Sequence, residues 1–158
     1  MPEQSYDKDK VAKLLNQILE EELAGVVRYT HYSFMVYGYS RIPIVSWFRE
    51  QANESMTHAQ QAGELLTALG EHPSLGIGQL LETHKHDIGD ILREALDAEK
   101  RGLGLYRELL ELVEDRNITL EEYARTMISE EQMHLWEVDK MLRKPGDIDS
   151  FVQQQKID

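Results

Sequence analysis

SEEQMHLWEVDKML, residues 129–142, reads as a helix whose inward stripe is broken by two polar side chains. With the residues just before it, the stripe runs Tyr123, Met127, Glu131, His134, Val138 and Met141. Spacings of three and four mark the face a helix turns to a core. Glu131 and His134, three apart, share that face. A buried, unpartnered carboxylate is costly, so it needs a counter-charge or must stay protonated.

Three other segments carry the same signature. The first predicted helix, about Asp7 to Tyr39, has the stripe Leu15, Ile18, Glu22, Val26, Tyr29. The second starts after a tight connection at Gly38–Pro43, since Pro43 fits a helix start, and is stopped by Gly70. Its face includes Trp47, Phe48, Gln51, Glu54, Ser55, His58, Ala62, Leu65 and Leu69, with Glu54 and His58 four apart. The third, about Asp87 to Glu114, reads Ile88, Leu92, Leu96, Glu99, Leu103, Tyr106, Leu110. Between the second and third, Glu71–His86 carries Pro73, Gly76 and Gly78 and is too long for a simple helical hairpin, which suggests a crossover along the bundle. Asp115-Arg116-Asn117 is a turn, and Thr119 with Glu122 has capping-box spacing for the start of the last helix, which ends near Lys144. Residues 147–158 form a short C-terminal segment with room for a fifth, short helix. The expected fold is all-α: an antiparallel four-helix bundle with a long crossover, in one domain spanning 1–158.

Composition narrows the function. The chain has 158 residues, enough for a full hydrophobic core, and no Cys, which removes disulfides, thiolate nucleophiles, iron–sulfur clusters and Cys-based zinc sites. A net charge of -12, from 17 basic and 29 acidic residues, argues against a nucleic-acid surface. The polar N-terminus MPEQSYDKDK lacks the apolar core of a signal peptide, and no apolar run is long enough to span a membrane. A cytoplasmic protein is expected. His72, His84 and His86 fall in or beside the crossover and read as solvated loop histidines.

Two helices thus bring one Glu each, and two bring a Glu and a His, all near mid-length. Four carboxylates carry about -4 and two divalent ions about +4, so a metal pair would be neutralised. Carboxylate with imidazole suits iron or manganese.

At these residues the chain resembles the ferritin-like di-iron proteins, most of all the bacterioferritins. The resemblance rests on EELAGVVRYTHY (21–32), ILREALDAEKRGLGLYREL (91–109) and SEEQMHLWEVDKML, and covers essentially the whole chain. It implies a di-iron centre with Glu22 and Glu99 as terminal ligands, His58 and His134 each on one metal, and Glu54 and Glu131 as bridges. FREQANESMTHAQQ (48–61) departs from the family pattern: Ser55 stands three before His58, and the acid, Glu54, stands four before. Tyr29 lies on the face of Glu22 and is a candidate electron or hydrogen-bond donor. Met56 matches the position of the family's haem ligand, so haem is a possible second cofactor.

The function this implies is iron storage and detoxification: a ferroxidase oxidising Fe(II) with dioxygen or peroxide inside a homo-oligomer, by resemblance a twenty-four-subunit cage. Tyr32, Phe34, Met35, Tyr37, Tyr39 and Trp136 are expected at subunit interfaces. The rival readings are a di-iron or di-manganese peroxidase or catalase that forms no cage, and a helical scaffold whose inward acids are only hydrogen-bonded.

Overall fold

The computed structural model describes residues 5–151. They form four helices and no strand: α1 (Lys8–Met35), α2 (Arg41–Ala68), α3 (Ile88–Val113) and α4 (Ile118–Leu142). None is long and apolar enough to cross a membrane. α1 packs on α2 and on α3, and α3 packs on α4. α2 and α4 keep their Cα atoms more than 8 Å apart, so only long side chains span the gap between them.

The helix ends have local causes. Asp7 caps α1 by accepting from Lys10 N (3.1 Å), and Asp87 caps α3 by accepting from Gly89 N (3.1 Å). α1 stops at Met35, a turn before the expected Tyr39. Val36 is already extended, Gly38 takes φ +100°, and the Arg41 guanidinium donates to the Val36 carbonyl at 2.7 Å. α4 is capped by Asn117, whose side chain accepts from Leu120 N (3.0 Å), and not through the expected Thr119–Glu122 box. Asn caps as well as Thr, and Asn117 already has the extended backbone a cap requires. After α4, residues 147–150 are not helical, and residues 152–158, where most of the expected fifth helix would fall, lie outside the described residues.

α2 runs antiparallel to α1, and so does α3, because Tyr106 of α3 reaches Glu22 while Tyr32 of α1 reaches Glu94. α2 and α3 are therefore parallel, and the chain between them must travel the bundle's length. It does so along α1. Ser74 N donates to Asn16 Oδ1 (2.7 Å), Gly78 N to the Glu20 carbonyl (2.7 Å), and Glu82 meets His31 at 2.8 Å.

The core comes in two apolar halves. One gathers Leu15, Ile18, Ala62, Leu66, Leu109, Val113, Leu120 and Met127; the other gathers Tyr29, Tyr32, Phe48, Ile91, Leu92, Leu96, Leu103 and Val138. Tyr32, expected at an interface, belongs to this second half, with its hydroxyl on Glu94 at 2.7 Å. The two halves are divided by a polar layer at mid-length.

Candidate metal centre

That layer is built from the stripe-breaking residues. Glu22 (α1), His58 (α2) and Glu131 (α4) are all buried. His58 Nδ1 lies 3.5 Å from Glu22 Oε1 and 3.4 Å from Glu131 Oε1. On the other side Glu99 (α3), Glu131 and His134 (α4) converge, with His134 Nδ1 3.8 Å from Glu131 Oε2. Within each triad the potential ligand atoms lie within 4.8 Å of one another. Glu131 belongs to both and points one oxygen at each, as a bridging carboxylate would.

Glu22 and Glu99 are each held by a phenol from the opposite helix. Tyr106 OH donates to Glu22 Oε1 at 2.8 Å, and Tyr29 OH donates to Glu99 Oε1. Both rings are buried. Burial raises the pKa of Glu22, against the opposing pull of His58 and the Tyr106 hydrogen bond. Burial and then Glu99 hold Glu131 well above the carboxylate range. For His58 burial works toward the neutral ring, but Glu131 and Glu22 together outweigh it and raise its pKa to about 10. Without metal, the layer is thus a crowd of acids sharing protons around an imidazolium. A cation of higher charge fits this donor set better than protons do.

A model of the ferritin-like domain matches residues 12–146. The chain belongs to the ferritin-like family. No curated protein matches this ferritin-like chain by sequence. Solved structures match it by shape. A ferritin-like diiron-carboxylate protein from Bacillus anthracis str. Ames superposes with TM-score 0.82 at 24% identity, over 89% of this chain and 100% of the other. A dodecameric thioferritin, the bacterioferritin-related protein from Bacteroides fragilis, gives 0.81 at 21% identity, over 87% and 86%. The bacterioferritin of Rhodobacter capsulatus, described with a metal-free dinuclear site and a haem iron, gives 0.78 at 22% identity, over 87% and 86%.

Within this ferritin-like bundle, Glu54 sits apart from the inner acids. Its Oε2 lies 3.1 Å from His134 Nε2, on the half-exposed rim between α2 and α4. Glu130 is its counterpart there, with its Oε2 3.1 Å from His58 Nε2. The two contacts cross: the α2 acid meets the α4 imidazole and the α4 acid meets the α2 imidazole. Glu130 is absent from the sequence expectations, yet a signal for it exists. Glu130 stands four before His134, as Glu54 stands four before His58. The two helices carry one motif, and Ser55 occupies in α2 the place that Glu131 fills in α4. Ser55 packs against Gly25 of α1, where an added Cβ would come within 2.8 Å of its Oγ.

Met56 is 39% exposed on α2, outside the polar layer. Phe34, Tyr37, Tyr39 and Trp136 are exposed too, and Met35 is half-buried. His72, His84 and His86 are exposed and enter none of the candidate metal-binding groups.

Proposed function

We propose that this chain is a ferroxidase of the iron-storing kind. The observation that carries the reading is the pair of donor triads, the buried Glu22–His58–Glu131 and the partly buried Glu99–Glu131–His134, sharing one buried carboxylate between two apolar half-cores. Two ferrous ions are the substrate. Glu22 with His58 holds one, Glu99 with His134 the other, and Glu131 lies between them. Glu54 orients the His134 imidazole from the rim, and the three inner carboxylates offset about -3 of the roughly +4 of two divalent ions. Dioxygen or peroxide takes the electrons, and the ferric product moves on into a shell of subunits. Oxygen and imidazole donors without thiolate suit iron and admit manganese.

The exposed Phe34, Tyr37, Tyr39 and Trp136 supply apolar surface for a symmetric assembly, by resemblance a cage of twenty-four. The exposed Met56 thioether is free to meet a haem at such an interface. A cytoplasmic location goes with this reading.

The test joins metal analysis, gel filtration and stopped-flow oxidation of ferrous iron on the purified protein. Two iron ions bound per subunit, rapid oxidation and elution as a large shell support it. A metal-free protein that does not take up iron refutes it. An isolated monomer or dimer that turns over peroxide would instead show a redox enzyme without a cage. Haem-supplied protein should show a bis-thioether spectrum that Met56→Leu removes; identical spectra would make Met56 a packing residue.

A further inference from the structure

Glu22 and Tyr29 are seven residues apart on α1, and Glu99 and Tyr106 are seven apart on α3. Seven residues are about two helical turns, so each pair lies on one face. Because the two helices are antiparallel, each tyrosine lands on the other helix's acid: Tyr29 on Glu99, Tyr106 on Glu22. Each acid serves a different donor triad. The centre therefore has two phenols in equivalent places, one per metal position.

We propose that Tyr106 is a second one-electron donor to the centre, equivalent to Tyr29, and that the two together let it reduce dioxygen to water without releasing hydrogen peroxide. The inference rests on the ferroxidase reading above. A phenol gives up an electron readily only when its proton has somewhere to go, within hydrogen-bond reach. Tyr106 has Glu22 Oε1 at 2.8 Å, and Tyr29 has Glu99 Oε1. Both rings are buried, so the acid to which each hydroxyl is bonded is the place its proton can go. Among the other buried tyrosines, Tyr32 donates to Glu94, which belongs to neither triad. Tyr123 has a buried hydroxyl with no hydrogen bond of normal geometry, although it lies near enough to Tyr106 for the two phenols to interact.

The electron count sets the need for two donors. Dioxygen takes four electrons and four protons to become two waters. Two ferrous ions give two electrons. Tyr29 and Tyr106 give one electron and one proton each, becoming neutral tyrosyl radicals, and two further protons come from solvent. With neither tyrosine, the same two ferrous ions and two protons carry dioxygen only to hydrogen peroxide.

The surroundings make the two radicals differ. Tyr29 touches Tyr32, Phe48 and Trp47, with ring centroids 5.9 to 6.3 Å away, and Trp47 is half-exposed. This aromatic row leads outward, so the hole on Tyr29 can pass along it to Trp47, where a ferrous ion in solvent, the protein's own substrate in this reading, gives up one electron to fill it and becomes ferric. The aromatic neighbour of Tyr106 is Tyr123, edge-on at 6.0 Å and without an acceptor for its proton. The Tyr106 radical stays where it forms and outlives the other.

The test uses wild type, Tyr29→Phe, Tyr106→Phe and the double variant, each loaded anaerobically with two ferrous ions per subunit and mixed with dioxygen. Radical yield is read by freeze-quench electron paramagnetic resonance and peroxide by a trapping assay. The expected result is a long-lived radical that survives in Tyr29→Phe, a short-lived one that survives in Tyr106→Phe, and none in the double variant, which releases one peroxide per dioxygen. Loss of all radical in Tyr29→Phe alone, or wild-type radical and peroxide yields in Tyr106→Phe, overturns the proposal. So does a Tyr106→Phe protein changed only in melting temperature, which would make the residue structural. Cobalt(II) titration of each variant shows whether the donor triads still bind two ions. A wild type that binds no metal or oxidises no iron defeats the ferroxidase reading itself. One that oxidises iron without any radical defeats only this inference.

Discussion

Each residue of the polar layer is defined by which atom it turns inward. His58 and His134 both direct Nδ1 at inner acids and Nε2 at a rim acid. An imidazole that donates its Nε2 proton to a carboxylate keeps the Nδ1 lone pair free for a metal, and losing such a partner typically costs about ten- to hundredfold in affinity. Glu54→Ala is therefore expected to weaken metal binding by about that factor. Glu54→Gln, whose amide oxygen still accepts the proton, should stay near wild type. Isothermal titration with cobalt(II) or manganese(II) measures both. If Glu54→Gln drops one whole ion per subunit, Glu54 is a metal ligand in its own right, as its spacing from His58 suggests, and its charge is what matters. Glu22, Glu99, Glu131 and His134 were legible in the sequence because each breaks an apolar stripe, which a solvated residue has no reason to do. Glu130 was not, because an acid beside another acid on a helix reads as solvent-facing, and only the partner across the bundle gives it a role.

The helices themselves could be read from periodicity, and their ends less well. α1 ends before Tyr39 because the Gly38 conformation and the Arg41 contact with the Val36 carbonyl decide the matter, and neither leaves a trace in hydrophobic spacing. The crossover was legible from its length and its Pro and Gly content, but not its seat on α1. Gly78 fixes that seat. A Cβ there would lie 3.1 Å from both the Glu20 carbonyl oxygen and Glu21 Cα, and helix backbone cannot give way as a side-chain tip can. Gly78→Ala should cost about 1–3 kcal/mol by overpacking. Gly63, inside α2, has nothing within 4 Å of a would-be Cβ, so Gly63→Ala should add up to about 1 kcal/mol through helix propensity. Denaturant melts of the two variants read the contrast directly. Equal effects of the same sign would mean that the crossover is not seated on α1 in solution.

For the whole molecule, the polar layer makes the fold's stability depend on what fills it. Without metal, Glu22 and Glu131 have raised pKa values, from burial first, and His58 is raised to about 10. A group whose folded pKa lies above its unfolded value binds more protons in the folded state, so its contribution is whole below the unfolded pKa and fades as pH climbs through the folded one. The two acids therefore begin to lose their contribution above about pH 4.5, and His58 above about 6.5. All three act in the same direction, so between about pH 5 and 9 the metal-free protein should become steadily less stable as these groups lose their protons. Metal changes the slope. It competes with those protons, binds more tightly as pH rises, and stabilises only the folded state. The melting temperature of protein loaded with manganese(II) should thus rise or hold across this window while that of the metal-free protein falls, so that the gap between them widens. At a free-metal concentration about a hundredfold above the dissociation constant the gain is about 2.7 kcal/mol. Calorimetry of the two forms at pH 5, 7 and 9, with proton release on metal binding followed in parallel, measures each term. Two curves that run parallel with pH, with no protons released, would mean that metal binds elsewhere and that the buried acids and His58 are not its ligands.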